Sequence, residues 1–355
     1  MTLYDNDLYQ EDLEYVRNLD LPWEKLQDKS LLLSGATGMI GSFLTDVLLN
    51  KNEKDNLNCK VYALGRNEQK AKARFSKYAE DEHFIFVPYN VNMPFIQDDF
   101  GTVNYILHLA SNTHPMQYAT DPIGTITTNI IGLQNMLEFA VAHQATRFAF
   151  ASSNEIYGEN RGDVELFDEH YCGYIDSNTL RAGYPESKRC GEALCQAYKA
   201  QKGLDIVIPR LTRSYGPTLQ MSDTKALSQF IKKGLAKESI VLKSAGTQYY
   251  SYCYTADSVS GLLTILLKGE RGEAYNIADE SSDITLKDLA KIIADYAETE
   301  VIFEIPDATE ASGYSKASKA RLDGSKLRGL GWRAQFNVRK GVQRTLEILK
   351  NTLEH

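Results

Sequence analysis

Three residues of this sequence could together take a proton from a hydroxyl group. Tyr184 and Lys188 stand four positions apart, a spacing that places both side chains on one face of a helix. Tyrosine has an ordinary pKa of about 10, and a neighbouring ammonium group would favour its ionised form. Ser153 follows the apolar segment Phe148–Ser152 and could share the hydroxyl with Tyr184. Because the tyrosine–lysine spacing alone is a common coincidence, the hypothesis of a general base depends on Ser153 and on the fold.

A glycine-rich segment near the N-terminus could bind phosphate. Gly35, Gly38 and Gly41 follow an apolar run and lead into an amphipathic helical pattern. Glycines at this spacing allow a tight turn, close approach of a pyrophosphate to the backbone, and close packing of a helix on a strand. The N–H groups at the helix start would bind the pyrophosphate of a dinucleotide, whereas a turn without a ligand is the alternative. The residues expected to contact the dinucleotide are Gly35, Thr37, Gly38, Met39, Ile40 and Gly41.

The next apolar segment ends in Gly65 and Arg66, which bears on the kind of dinucleotide. An acidic residue at this point would bind the ribose hydroxyls of NAD. Arg66 could instead bind the 2′-phosphate of NADP, stack on the adenine, or lie in solvent. The segment therefore leaves the choice between NAD and NADP open.

Apolar segments alternate with helical patterns between residues 31 and 211, as expected for parallel strands joined by right-handed crossovers. We therefore predict an α/β fold, a Rossmann-type doubly wound parallel sheet with a smaller C-terminal α/β domain for the substrate. The predicted strands are Leu31–Ser34, Val61–Leu64, Phe84–Pro88, Tyr105–Leu109, Phe148–Ser152 and Ile206–Leu211. The predicted helices are Gly41–Asn50, Glu68–Tyr78, Thr125–His143, Tyr184–Gly203 and Leu286–Tyr296.

The same alternation predicts the domain boundaries. Near the N-terminus, Trp23 and Leu26 are expected to pack against the body of the protein. Two later segments, Tyr252–Thr255 and Ala274–Ile277, are expected to return to the main sheet. The expected divisions are an N-terminal extension, 1–30; a dinucleotide-binding domain, 31–210 with a return of about 252–277; and a substrate-binding domain, 211–251 and 278–355.

Composition restricts the classes of function. The 355 residues carry a net charge of −8, which argues against general binding to nucleic acid. The 5 cysteines include no Cys-x-x-Cys pair and the 6 histidines form no metal-binding pattern, so we predict no metal site. No segment approaches the roughly 18 apolar residues of a membrane span, and the acidic N-terminus does not look like a secretory leader. We expect a cytoplasmic protein without membrane or nucleic-acid partners.

A set of motifs in a fixed order extends these expectations. Besides the glycine loop and the pair Tyr184 and Lys188, the motifs are His108-Leu109-Ala110-Ser111, Asn129-x-x-Gly132-x-x-Asn135, Ser152-Ser153-Asn154-Glu155-Ile156-Tyr157-Gly158 and Arg210-x-x-Arg213-x-Tyr215-Gly216-Pro217. From about residue 30 to about residue 350 the sequence resembles the extended short-chain dehydrogenase/reductase superfamily, and within it the NAD-dependent nucleotide-sugar epimerases and dehydratases. It is most similar to UDP-glucuronate decarboxylases, above all between His108 and Asn129, and to dTDP-glucose 4,6-dehydratases.

The resemblance implies a role for each candidate residue. Tyr184 would be the base for the 4-hydroxyl of a nucleotide-diphosphate sugar, and Ser153 would hold the 4-oxygen. Lys188 would bind the nicotinamide ribose and lower the pKa of the tyrosine, while Leu109 and Ala110 would also contact the cofactor, NAD. Hydride would pass from C4 of the sugar to the cofactor and return later, so the reaction would cause no net oxidation or reduction.

The step that follows oxidation at C4 is left open by the sequence. The dehydratase pattern implies that Glu155 removes the C5 proton, but an aspartate that protonates the departing hydroxyl is replaced here by Asn154. A 4-keto hexuronate can lose CO2 without that acid, and Arg181 could bind its carboxylate or lie at the surface. We expect decarboxylation or 4,6-dehydration. A 4-epimerase and a non-catalytic dinucleotide-binding regulator are the alternatives.

Two positions depart from the pattern of the family. Arg213 stands where the family usually has asparagine, and Tyr250 stands where it usually has a phosphate-binding arginine. We hypothesise that Arg213 takes over the pyrophosphate of the substrate near Tyr250. The alternative is a substrate that differs from the usual UDP-sugars.

The resemblance also implies a homodimer. Thr125–His143 and Tyr184–Gly203 of two subunits would pair across a two-fold axis as a four-helix bundle. The alternative is that both helices pack only on their own sheet.

Overall fold

The computed structural model describes residues 2–95, 100–113, 115–304 and 319–353, and its strands form one large and two small sheets. The strands are β1 Ser30–Ser34, β2 Lys60–Gly65, β3 Phe84–Pro88, β4 Tyr105–His108, β5 Arg147–Phe150, β6 Ser152–Ser153, β7 Ile206–Leu211, β8 Arg213–Tyr215, β9 Ile240–Leu242, β10 Tyr249–Tyr254, β11 Ala274–Ile277, β12 Asp283–Thr285, β13 Val301–Phe303 and β14 Lys319–Ala320. The helices are α1 Asp7–Arg17, α2 Met39–Asp55, α3 Glu68–Arg74, α4 Pro115–Thr120, α5 Pro122–Ala142, α6 Gly183–Lys202, α7 Ala226–Leu235, α8 Thr255–Lys268, α9 Leu286–Ala297, α10 Ser325–Gly329 and α11 Val338–Leu353.

The large sheet is parallel and has the strand order β3-β2-β1-β4-β5-β7-β11, with β6 also paired to β7. The chain winds outward in one direction from β1 to β3 and in the other from β4 to β11. A ligand crevice opens in such sheets at the carboxyl ends of the strands, where the winding direction changes. The prediction of a Rossmann-type doubly wound sheet is confirmed.

Strand β1 shows why the sheet is a buried layer. All five of its residues are buried. Leu31 and Leu33 belong to a hydrophobic cluster that includes side chains of α2 and α8, whereas Leu32 belongs to a second cluster that includes side chains of α5. Because successive side chains of a strand point to opposite faces, a continuous apolar run is expected where helices cover both faces.

The second sheet consists of β12, β10 and β14, with β8 also paired to β10, and β9 pairs with β13 separately. The prediction that Ala274–Ile277 returns to the main sheet is confirmed, because β11 pairs in parallel with β7. The same prediction for Tyr252–Thr255 was wrong. Its first three residues lie in β10 and pair with β8, and Thr255 begins α8. An aromatic strand carries no local mark of its partner, so the sequence could not assign it to one sheet or the other.

The N-terminal extension packs against the body, as predicted for Leu26, which is fully buried, and for Trp23, which is partly buried. Its helix α1 places the carboxylate of Asp12 in the interior, where Asp12 accepts hydrogen bonds from Tyr254 and Arg344. A buried carboxylate needs such partners because it has lost its hydration. The extension thus connects β10 to the C-terminal helix α11. The division of the chain into three domains stays a prediction.

None of the described helices is both long enough and apolar enough to cross a membrane.

Candidate active site

The loop between β1 and α2 leaves no room for a side chain at its glycine positions. Gly35 has a φ of +74°, and a Cβ added there would lie 2.9 Å from the Ala110 nitrogen. A Cβ at Gly41 would lie 2.5 Å from the carbonyl oxygen of Gly35. Gly38 is the residue before the first turn of α2, and its N–H donates to the Gly35 carbonyl at 3.0 Å. These contacts hold the turn close to the backbone that follows β4.

The other expected cofactor contacts lie around this turn. Met39 and Ile40 occupy the first turn of α2, a 17-residue helix, where backbone N–H groups have no partner within the helix. Leu109 and Ala110 follow β4, and the Ala110 N–H donates to the Ser34 hydroxyl at 3.2 Å. A cradle of glycine backbone, helix N–H groups and the neighbouring strand end suits the pyrophosphate of a dinucleotide.

A later loop covers the glycine turn. The Gln220 side chain donates to the Thr37 carbonyl and the Thr218 hydroxyl donates to the Met39 carbonyl, both at 2.8 Å. Arg66, the remaining expected contact, is exposed directly after β2. The structure therefore brings all the expected cofactor-binding positions to one edge of the sheet.

Tyr184 and Lys188 lie on α6 and are both buried. The Lys188 ammonium group donates to the Ala151 carbonyl at 2.7 Å and lies 6.0 Å from the centre of the Tyr184 ring. Burial raises the pKa of Tyr184 above its ordinary value and the charge of Glu155 raises it further, while the neighbouring Ser153 and Ser111 hydroxyls lower it. Ser153 therefore lies beside the tyrosine, as the hypothesis requires.

Burial also acts on the lysine of this pair. It lowers the pKa of Lys188 to about 7, because an ammonium group is costly in an environment that water does not reach. The side chain is 2% exposed. An amine with this pKa can gain or lose its proton near neutral pH, and a charge placed beside it would move that balance.

Glu155 and Arg181 bind each other. Glu155 lies in the short 3₁₀ helix Asn154–Tyr157, which begins with the buried Asn154, and Arg181 lies in the 3₁₀ helix Leu180–Ala182 just before α6. The Arg181 guanidinium donates to a Glu155 carboxylate oxygen at 2.7 Å. The two side chains are 27% and 43% exposed, so they form a pair at the mouth of the site.

Arg213 and Tyr250 are also in contact. They lie on the paired strands β8 and β10, and the Arg213 guanidinium is 3.6 Å from the centre of the Tyr250 ring. Among the described residues, the buried Nη1 of Arg213 has no hydrogen-bond partner. A guanidinium stacked on a ring keeps its N–H groups available for an anion in the ring plane.

The sequence reasoning missed the role of Tyr118 in this site. The ring of Tyr118 stacks on that of Tyr184, with centroids 5.0 Å apart and planes at 26°. The Arg181 guanidinium lies 5.0 Å from the centre of the Tyr118 ring. Tyr118 falls within the stretch His108–Asn129 that carried the strongest resemblance, which was the available signal.

Ser111 is a second residue that the reasoning did not select. Its hydroxyl donates to the Asn129 side chain at 2.7 Å, and the Asn129 amide donates to the Ser187 hydroxyl at 2.8 Å. This chain of hydrogen bonds links the end of β4 to α6. It fixes the helix that carries Tyr184 and Lys188 against the strand that would contact the cofactor.

Within the described residues, no cluster of three or more histidine, cysteine, aspartate or glutamate side chains could hold a metal ion.

Comparison with known proteins decides the family. The model of the NAD dependent epimerase/dehydratase family matches residues 31–278. The chain belongs to this family. UDP-glucuronic acid decarboxylase 6 of Arabidopsis thaliana is 30% identical over 313 residues, which are 88% of this chain and 86% of the relative. The match begins in β1, the strand before the glycine loop.

Solved structures show the same fold. DesIV, a dTDP-glucose 4,6-dehydratase from Streptomyces venezuelae with NAD and TYD bound, has a TM-score of 0.76 and 24% identity over 91% of this chain and 97% of its own. UDP-glucuronic acid 4-epimerase from Bacillus cereus, in complex with NAD, has a TM-score of 0.75 and 22% identity over 91% of this chain and 99% of its own. One fold therefore serves dehydration and epimerisation, and the reaction must be argued from the site.

Proposed function

We propose that this chain converts a nucleotide-diphosphate sugar through a transient 4-ketone, with a tightly held nicotinamide dinucleotide. The observation that carries the proposal is the group formed by Tyr184, Ser153 and Lys188, which lies beside the glycine loop at the carboxyl ends of the strands. When bound, the cofactor supplies reversible acceptance of a hydride. NAD is the dinucleotide bound in the solved relatives, and the glycine cradle suits it.

Tyr184, Ser153 and Lys188 have different roles at C4 of the sugar. Tyr184 accepts the proton of the 4-hydroxyl, and Ser153 holds the same oxygen by a hydrogen bond. The Lys188 ammonium group lies 6.0 Å from the centre of the Tyr184 ring, and its positive charge favours the phenolate form of the tyrosine. These roles explain why a lysine is kept in an environment that lowers its pKa to about 7.

The substrate that fits best is a UDP-hexuronate, and the reaction is decarboxylation. Asn154 beside Glu155 cannot protonate a departing hydroxyl, whereas a β-keto acid loses CO2 without such an acid. Arg181 at the mouth of the site is placed to attract the carboxylate of the sugar. The names of the curated relatives agree with this reaction.

Two other classes remain as alternatives to decarboxylation. The ion pair between Glu155 and Arg181 supports a 4-epimerase. Simple 4-epimerisation removes no proton from C5, so it needs no catalytic carboxylate at Glu155. A non-catalytic regulator is disfavoured because Ser153, Tyr184 and Lys188 are all present and grouped.

A panel of sugars tests the reaction. The protein is incubated with UDP-glucuronate, UDP-glucose and dTDP-glucose, and each product is identified by mass spectrometry. We expect loss of CO2 from UDP-glucuronate. Loss of water from dTDP-glucose would establish a dehydratase, and a change of configuration without a change of mass would establish an epimerase. Tyr184→Phe is the control and should lower turnover by about 10²–10⁴-fold.

We also propose a homodimer through α5 and α6, which pack side by side. Ile123, Ile126 and Ile131 are exposed on α5, and Ala193 is exposed on α6. Exposed apolar side chains on adjacent helices are typical of a surface that meets a copy of itself. Sedimentation should show a dimer at micromolar concentration and a monomer for Ala193→Arg, whereas a wild-type monomer would contradict the proposal. The cytoplasmic location stays a prediction.

A further inference from the structure

The ion pair between Glu155 and Arg181 lies beside the groups that would hold the sugar at C4. Glu155 stands two residues after Ser153 in the sequence, and Arg181 comes shortly before α6. Burial is the largest cause that raises the pKa of Tyr184. The charge of Glu155 raises this pKa further, whereas the charge of Arg181 lowers it. Both charges are therefore close to the oxygen that would accept the proton of the 4-hydroxyl.

The geometry of a sugar brings its sixth carbon to this ion pair. C6 is joined to C5, the neighbour of C4, so a group at C6 stays close to an oxygen that Tyr184 and Ser153 hold at C4. In a hexuronate this group is a carboxylate, whereas in a hexose it is an uncharged hydroxymethyl group. A hexuronate therefore brings a second carboxylate to Arg181, which already binds that of Glu155.

The guanidinium of Arg181 also contacts an aromatic ring. It lies 5.0 Å from the centre of the Tyr118 ring, which is itself stacked on that of Tyr184. The hydrogen bond from Nη2 of Arg181 to Glu155 uses one of the five N–H groups that a guanidinium has. Contact with the face of a ring uses none of them. The contact with Tyr118 can therefore persist while the carboxylate partner changes.

The exposure of the ion pair makes its bond exchangeable. The side chains of Arg181 and Glu155 are 43% and 27% exposed. An ion pair that water reaches contributes little to stability, because water competes for both charges. A sugar carboxylate that offers both of its oxygens to the guanidinium forms a stronger, bidentate contact.

We propose that Arg181 exchanges partners when a hexuronate binds, leaving Glu155 for the carboxylate at C6 of the sugar. The inference rests on the proposed function, because it assumes a nucleotide sugar held at C4 by Tyr184 and Ser153. Glu155 is then a specificity-determining residue, since it occupies the arginine until a sugar with a negative charge at C6 takes its place. A hexose has no such charge, so it leaves Glu155 bound to Arg181. Release of Glu155 is thereby limited to hexuronates.

Titration calorimetry with UDP-glucuronate and UDP-glucose tests the exchange. The full chain carries Tyr184→Phe, so that both sugars bind with little turnover, and it is saturated with NAD+. Glu155→Gln removes the charge that binds Arg181, whereas Glu155→Asp keeps the charge on a side chain too short for the 2.7 Å contact. We expect both variants to bind UDP-glucuronate about 3–5-fold more tightly, because the sugar no longer competes with Glu155. The affinity for UDP-glucose should change by less than about 1.5-fold.

Arg181→Gln removes the shared partner. It should weaken UDP-glucuronate by about tenfold or more, and in this background Glu155→Asp should have no further effect. Unchanged binding of UDP-glucose shows that the variants are folded. The matched control is the ion pair of Arg161 and Asp163 at 2.9 Å, whose guanidinium lies 5.3 Å from the centre of the Tyr171 ring. Arg161→Gln and Asp163→Asn should change neither affinity.

Three results would overturn the inference. A gain in affinity for UDP-glucuronate that is confined to Glu155→Gln and absent in Glu155→Asp would show that only charge repulsion opposes the sugar. An unchanged affinity for UDP-glucuronate in Arg181→Gln would place the sugar carboxylate elsewhere. Failure of the protein to bind either nucleotide sugar would overturn the proposed function together with this inference, and binding of UDP-glucose tells that result apart from the first two.

Discussion

The guanidinium of Arg213 lies 3.6 Å from the centre of the Tyr250 ring, across the paired strands β8 and β10. The resemblance to the family implies an arginine at the position of Tyr250. Arg213 instead places a cation on the neighbouring strand, against the Tyr250 ring. The hypothesis that Arg213 binds the pyrophosphate of the substrate therefore has a direct test.

Arg213→Gln should raise the KM for the nucleotide sugar by about 10–100-fold, the effect of losing one charge-assisted contact to a phosphate. The affinity for the dinucleotide should not change. Arg321→Gln is the control, because Arg321 lies 4.6 Å from the Tyr249 ring but pairs with Glu165. The double variant Arg213→Asn, Tyr250→Arg should recover much of the lost KM. An unchanged KM in Arg213→Gln would place the pyrophosphate elsewhere.

Glu155→Gln keeps the shape of the side chain and removes its charge. If Glu155 acts after oxidation at C4, hydride transfer continues while product formation falls, so reduced cofactor accumulates and is seen in its near-ultraviolet absorbance. Glu186→Gln is the control, because this carboxylate lies on α6 and pairs with Arg189. Normal turnover of Glu155→Gln would make Glu155 a partner of Arg181 only and would exclude 4,6-dehydration, in which a carboxylate removes the C5 proton.

Tyr118 should position Tyr184 through the stack between their rings. Tyr118→Leu removes the stack and should lower kcat by about 3–10-fold with little change in KM, the effect expected of one aromatic pair. Tyr118→Phe keeps the ring and should restore the rate, which separates positioning from any task of the hydroxyl. Tyr171→Leu is the control, since it disrupts another stacked pair, Phe167 and Tyr171. Equal loss in the leucine and phenylalanine variants at Tyr118 would contradict positioning.

The sequence could predict what depends on neighbouring residues. Ile206–Leu211 was expected as a strand and is β7 within the same bounds, and Tyr184–Gly203 differs from α6 by one residue at each end. The glycine spacing identified a turn whose geometry indeed excludes side chains. The strand, the helix and the turn follow from the spacing of apolar residues and from the positions of glycines. Both can be read from residues that are close together in the sequence.

Contacts between distant parts of the chain could not be predicted in this way. The partner of Tyr252 in β8, the pairing of Glu155 with Arg181, and the bond from Arg344 to Asp12, 332 residues away, depend on how elements meet in the folded chain. Sequence assigned Glu155 and Arg181 to separate roles. The structure shows that each is the other's partner before any substrate arrives.

The stability of the folded chain should depend on pH through Lys188. Burial lowers the pKa of Lys188 to about 7, whereas in the unfolded chain it is near its ordinary value of about 10.4. Below pH 7 both states hold the proton, and the folded state bears the full cost of the buried ammonium group. Between the two pKa values only the unfolded state holds it, so the contribution of this group to stability rises with pH.

Lys188→Met removes the charge and keeps most of the volume. In cofactor-free protein, the variant should unfold at a higher temperature than the wild type at pH 6, by at least about 3 °C. The difference should shrink as the pH is raised from 7 to 9, because the wild type loses part of its penalty over that range. Lys202→Met, an exposed position on the same helix, should show no such trend. The slope of the difference between pH 7 and pH 9 is the decisive quantity, since the hydrogen bond to the Ala151 carbonyl, which the neutral amine can also donate, contributes an amount that does not follow this slope. A difference independent of pH would mean that Lys188 keeps an ordinary pKa, and the account of why it is buried beside Tyr184 would fail with it.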